Sequence, residues 1–219
     1  MAASRADSLV EPDPMDDDDL LPLNGTVASN PGRLRVNYLR WFLHKPAWPL
    51  GWAVALVAAV AAAVWFHWAL WIAAAVLLLC NVFYWFRLTM HFGRGDANPG
   101  LVVSATPPLV AVATDLSKGF GVFPAVKVFA AGPLRVAGRR PEVGDRVGTV
   151  SLYAPGPDSS APHWADFDPH PAEYVTADPA AIAGLMATFT PADWDNLARL
   201  LEQVPRPYRP GLYLVPADG

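Results

Sequence analysis

Residues 49–86 read PLGWAVALVAAVAAAVWFHWALWIAAAVLLLCNVFYWF, thirty-eight positions without an Asp, Glu, Lys or Arg. As one straight helix this stretch would run about 57 Å, roughly twice the 30 Å hydrocarbon layer of a bilayer. Two crossings are therefore expected, with the break at Trp65-Phe66-His67-Trp68, where the run is bulkiest and most polar. Each remaining segment holds about 17–20 apolar residues, enough to span. The stretch lies too far from Met1, and is too long, for a cleaved signal peptide.

Aromatic placement points the same way, because Trp and Tyr favour the headgroup regions. Trp48 and Trp52 mark one end, Trp65, Trp68 and Trp71 the proposed turn, and Tyr84 and Trp85 the return. Ala55, Ala59 and Ala63 in the first segment and Ala69 and Ala73 in the second either let the helices approach closely or serve only as apolar helix formers. Arg33, Arg35, Arg40 and Lys45 precede the first span and Arg87 and Arg94 follow the second, whereas the turn carries no Lys or Arg. By the positive-inside rule both termini face the cytoplasm. Neither segment has an ionisable residue near its centre, which argues against an ion or proton pathway.

Outside the hairpin, composition divides the chain further. Residues 1–32 lack apolar periodicity and contain Asp16-Asp17-Asp18-Asp19, so a disordered acidic tail is expected. Residues 33–48 place Leu34, Tyr38, Trp41 and Phe42 at helical spacing among Arg33, Arg40 and Lys45. They read either as a short interfacial helix on an anionic leaflet, ended by Pro46 and Pro49, or as a linker whose charges set topology. The transmembrane hairpin is assigned to residues 49–88. The single cysteine, Cys80, excludes an internal disulfide and reads as a small apolar residue, with palmitoylation as the alternative.

Residues 92–219 are long enough for one small domain with its own core. Leu101–Ser104, Leu109–Thr114, Ala125–Phe129 and Arg146–Tyr153 are Val-rich strand candidates separated by Gly and Pro turns, among them Asn98-Pro99-Gly100. Short strands with close turns favour an antiparallel sheet or small barrel. Residues 155–171 read as a loop. Two helices follow, capped by Asp178 and by Thr190 with Asp193, and Leu212–Val215 returns as a strand. The expected fold is a two-span transmembrane helical hairpin plus a small cytoplasmic α+β domain.

Few residues here suggest chemistry. His163, Asp166, Asp168 and His170 fall within eight positions and could ligate a metal or form an acid/base pair, although the spacing fits no zinc pattern. The alternative is a loop anchored by Trp164 and Phe167. Asp115, Ser117, Lys118 and Gly119 resemble a Ser-Lys pair but are more simply a turn stabilised by side-chain bonds. Gly93 to Gly100 lacks the Lys-Ser/Thr ending of a phosphate loop and reads as a hinge. No cofactor is expected, and a net charge of −4 argues against nucleic acid.

Asn98-Pro99-Gly100, the run Val110 to Leu116, Pro124 to Val128, Gly144-Asp145-Arg146-Val147, His163 to Phe167 and Pro210-Gly211-Leu212-Tyr213 together resemble a bacterial membrane-associated family, domain of unknown function 3239. The resemblance covers roughly residues 35–213 and implies a bacterial inner (plasma) membrane setting without an assigned activity. The expected role is a non-enzymatic scaffold or interaction module that contacts the lipid bilayer and either binds a protein partner or self-associates. The alternative is a metal-dependent hydrolase built on the His163–His170 segment.

Overall fold

The computed structural model describes residues 28–158 and 160–216. The Asp16–Asp19 run lies outside them. In order, the elements are α1 (Tyr38–His44), α2 (Ala47–Trp65), α3 (Leu70–Arg94), β1 (Asp96–Ala105), β2 (Pro108–Asp115), β3 (Pro124–Ala130), β4 (Arg146–Ala154) and β5 (Asp166–Pro171). A 3-10 turn (Ala172–Tyr174), α4 (Pro179–Ala187), α5 (Pro191–Glu202) and β6 (Gly211–Leu214) complete the chain.

The apolar run folds as two antiparallel helices broken where the sequence is bulkiest. At the turn, His67 Nδ1 accepts from the Ala69 amide at 3.1 Å, and the imidazole remains exposed. Both helices are long and apolar enough to cross a membrane, and only 11% of each apolar window is buried. A soluble core helix would be covered on most sides. Ala55, Ala59 and Ala63 do line the covered side of α2, but on α3 the buried alanine is Ala74, with Ala73 exposed. Pro46 does separate α1 from the long apolar helix, as expected, whereas Pro49 lies inside that helix. Pro46 caps α2 and Pro49 sits in its first turn, where a missing amide donor costs nothing.

With 25 residues, α3 is about 38 Å long, so it exceeds a 30 Å hydrocarbon layer by one to two turns. Those turns belong to the domain: Leu88, His91 and Phe92 are buried. Residues 93–100 are therefore neither a hinge nor a turn. Gly95 ends the helix and β1 begins at Asp96. Pro99 is tolerated because β2 pairs with β1 only from Gly100 onward, so Pro99 bonds toward β4 alone. Asn30 and Pro31 cover the other side of the strand start, with the Ala97 amide donating to Asn30 O at 2.7 Å.

The six strands form one antiparallel sheet in the order β5-β4-β1-β2-β3-β6. If flat, it would hold β3 and β5 about 19 Å apart. Lys127 Nζ on β3 instead lies 2.9 Å from both carboxylate oxygens of Asp166 on β5. The sheet thus curls into a half-barrel. Its rim is sealed where Trp164 N donates to Leu116 O at 2.7 Å and Lys118 N to Pro162 O at 2.9 Å. Val102, Val110, Val112, Val126, Val128 and Val147 fill the core, and α5 packs Trp194, Leu197, Leu200 and Leu201 against it. Both expected caps form, at Asp178 and in the Thr190–Asp193 capping box.

The loop expected at 155–171 ends early, because Asp166–Pro171 pairs with β4 over its whole length. Its two prolines sit on an edge strand, where the ladder loses little.

Candidate functional site

Chemistry-bearing side chains converge where α1 and the end of α3 meet the sheet. Residues 33–37 lie outside any helix, Arg33 with a positive φ of 49° and Leu34 N donating to Phe92 O at 3.0 Å, so the interfacial helix expected over 33–48 shrinks to Tyr38–His44. Asn37 caps it by accepting from the Arg40 amide. The helix packs into the domain through Trp41, which is 4% exposed and meets the Phe92 ring edge-on at 5.8 Å. Trp41 Nε1 donates to the Tyr84 hydroxyl at 2.7 Å, tying α1 to α3.

Beneath Trp41 the rings of His91 and His170 stack at 4.8 Å. His91 Nε2 must carry its proton, since it faces the Val150 carbonyl at 2.8 Å. Burial, reinforced by the nearby His91 and Lys45, holds the His170 imidazole well below its ordinary range, so it stays neutral. Its Nδ1 lies 3.1 Å from Pro169 O and its Nε2 3.4 Å from Asp168 Oδ2, two acceptors competing for one ring proton. His44 stacks on Tyr174 at 3.6 Å, and desolvation lowers its pKa to about 4. Lys45 lies over the Trp41 and Tyr174 rings.

A cleft of about 380 Å³ opens on this cluster, lined by Trp52, Cys80, Tyr84, Arg87, His91 and His170 among others. A second cavity of about 380 Å³ lies on the far side of α1, between Arg40, Arg135 and Glu173. Glu173 is 7% exposed, its Oε2 has no hydrogen-bond partner, and burial pushes its carboxyl up to about 7.

Of the four residues read as metal ligands, Asp168 and His170 stay in contact, at 3.4 Å, while His163 and Asp166 are drawn elsewhere. His163 leaves the cluster to pair with Ser117 and to pack on the Phe123 ring at 4.8 Å. Asp166 is engaged by Lys127. Asp168 and His170 follow on the same face of β5, successive positions being about 7 Å apart. Among the described residues no three His, Cys, Asp or Glu side chains are grouped to hold a metal. The Asp115 and His163 segments do lie side by side, yet Asp115 Oδ1 is occupied by the Ser117 and Phe123 amides. Gly119 completes the turn with a positive φ of 102°.

Of the aromatic residues expected at headgroup level, Trp48, Trp65, Trp68 and Trp71 are exposed, whereas Tyr84 and Trp85 are partly covered, with Tyr38 edge-on to Trp85 at 5.4 Å. Arg33, Arg35 and Arg87 are exposed, and Arg40 donates to Glu173 O at 2.6 Å. Nothing in the local sequence marked His91 or Glu173. Both owe their burial to segments distant in the chain.

The family model described as a protein of unknown function, DUF3239, matches residues 87–205, within the range of the resemblance drawn from the sequence. A crystal structure of a candidate membrane protein from Corynebacterium diphtheriae is 20% identical and superposes with a TM-score of 0.43, covering 55% of this chain and all of that one. No curated protein matches.

Proposed function

This chain belongs to the DUF3239 family of proteins of unknown function, and from that premise we propose that it is a membrane-anchored, non-enzymatic interaction module. In this reading α2 and α3 cross the bacterial inner membrane, both termini are cytoplasmic, and the half-barrel is held against the inner face. The observation that carries it is the continuity of α3, whose apolar length ends in Leu88, His91 and Phe92 inside the domain core. A domain fixed this closely to its spans works at the bilayer surface. The turn between β2 and β3 supports binding to a protein partner or a second copy: Phe120 is 84% and Val122 64% exposed, an apolar pair that a partner would cover.

Cysteine labelling tests the topology. In a Cys80→Ser background, His67→Cys should react with a membrane-impermeant maleimide added outside intact spheroplasts. Reaction only after permeabilisation would overturn the orientation.

A further inference from the structure

The cavity between α1 and the 3-10 turn is lined by Arg40, Arg135, Glu173, Leu39, Leu43 and Tyr174, among others. Three features make it a built site. Glu173 is buried by more than nine-tenths of its surface, yet Oε2 meets no donor. A buried carboxyl oxygen without a partner costs stability unless something supplies a hydrogen. Arg40 and Arg135 line the same cavity, and neither lies within ion-pair distance of a carboxylate among the described residues. Finally, Leu39 and Leu43, one turn apart on α1, are 67% and 71% exposed at its mouth.

Each feature narrows the ligand. A bare anion would meet the Glu173 carboxyl, and a bare cation would meet two guanidinium groups and the nearby Lys45. A zwitterion satisfies both, its ammonium donating to Glu173 Oε2 and its phosphate accepting from the arginines. The leucines ask for acyl chain rather than water. Position argues for the same source, since α1 ends at His44 and the first apolar helix starts at Ala47, with Trp48 69% exposed beside it. We propose that this cavity binds the ammonium–phosphate headgroup of a phosphoethanolamine lipid, with Glu173 reading the ammonium and Arg40 and Arg135 the phosphate. Burial alone pushes the Glu173 carboxyl up to about 7, and an ammonium beside Oε2 would shift it back toward the ionised, accepting form.

The inference rests on the membrane reading but fails separately from it. The full chain is reconstituted in nanodiscs of phosphatidylcholine doped with phosphatidylethanolamine, and retained lipid is counted by native mass spectrometry. Incorporation into the discs tests the anchor, and a chain that stays soluble without them overturns it. Given incorporation, phosphatidylethanolamine should be retained at least tenfold over phosphatidylcholine, whose quaternary ammonium has no N–H to donate. Glu173→Gln should abolish that preference, and Arg135→Ala should weaken retention of both lipids about tenfold. Thermal midpoints within a few degrees of wild type show that each variant is folded. Equal retention of the two lipids, or an unchanged preference in Glu173→Gln, overturns the proposal. Soluble O-phosphoethanolamine should compete only weakly, and competition at the lipid's own affinity overturns the lipid source.

Discussion

The Lys127 ammonium on β3 and the Asp166 carboxylate on β5 close a sheet whose two strands are four positions apart in hydrogen-bonding order. This charged contact joins the two backbone bonds at the rim, Trp164 N to Leu116 O and Lys118 N to Pro162 O, in holding the curvature without a continuous ladder. Lys127→Met keeps the apolar stem and removes the clasp. It should lower stability by about 1–2 kcal/mol, in line with hydrogen bonds to charged groups, read as a shifted urea midpoint at unchanged slope. Asp166→Asn should cost a similar amount, and the double variant little more.

Trp41 is a core residue although it precedes the hairpin. Trp41→Ala should destabilise the full chain by about 3–5 kcal/mol, as expected for a large buried ring. Tyr84→Phe removes only the partner of the indole N–H and should cost about 1 kcal/mol. Trp48→Ala, at an exposed position, should leave detergent-solubilised stability unchanged. Thermal unfolding followed by near-UV circular dichroism distinguishes the three.

Two glycines at the end of α3 should behave oppositely. A Cβ on Gly95 would lie 2.3 Å from His91 O and 2.8 Å from Ser151 O, both backbone atoms. Gly95→Ala therefore forces the helix away from β4 and should cost about 3 kcal/mol or more. At Gly93 nothing lies within 4 Å, and Gly93→Ala should stabilise by about 0.5–1 kcal/mol by restricting the unfolded chain.

Acidity should act on the junction in two opposing ways. His44, lowered from 6.5 to about 4, and His170, lowered further by burial, refuse protons that the unfolded chain accepts. Their contribution is present above pH 6.5 and is lost as pH falls toward 4. Glu173, raised from 4.5 to about 7, keeps a proton that the unfolded chain releases. Its contribution is present below pH 4.5 and is lost as pH rises through 7. Glu173→Gln should remove the fall in stability between pH 4.5 and 7, and His170→Gln should flatten the loss below 6.5. Unfolding midpoints measured across pH 4–8 give both slopes.

The hairpin was legible because its signals are local: no charge for thirty-eight residues, and a bulky interruption at Trp65 to Trp68. Core strands β2 and β3 were legible for the same reason, as were the helix caps at Asp178 and Thr190. The misreadings share one cause. Proline in Asn98-Pro99-Gly100 and in Asp166–Pro171 signals a turn, but here each proline sits where a strand lacks a neighbour on one side, which only the sheet order reveals. Arg33 to Val36 carried helical spacing yet lie outside the helix, because the bonds from Arg33 N to Gly93 O and from Leu34 N to Phe92 O outweigh propensity. The dispersal of His163 from Asp166, Asp168 and His170 follows from the strand that begins between them.

The chain leaves the domain and returns to it at nearly the same point. Gly32 N bonds to Gly95 O and Leu34 N to Phe92 O, while the Tyr38 hydroxyl reaches Thr89 Oγ1 at 3.0 Å. Topologically the two long helices are a detour, a loop pulled out of a fold that is already closed at its neck. Bridging residues 46 and 83 with a short flexible linker would keep Leu34, Trp41 and Tyr84 in place and yield a water-soluble protein with its two cavities at least partly intact. The apolar stretch of the two long helices is thus flanked on both sides by chain that packs into the domain, at Leu34 and Trp41 before it and at Leu88 and Phe92 after.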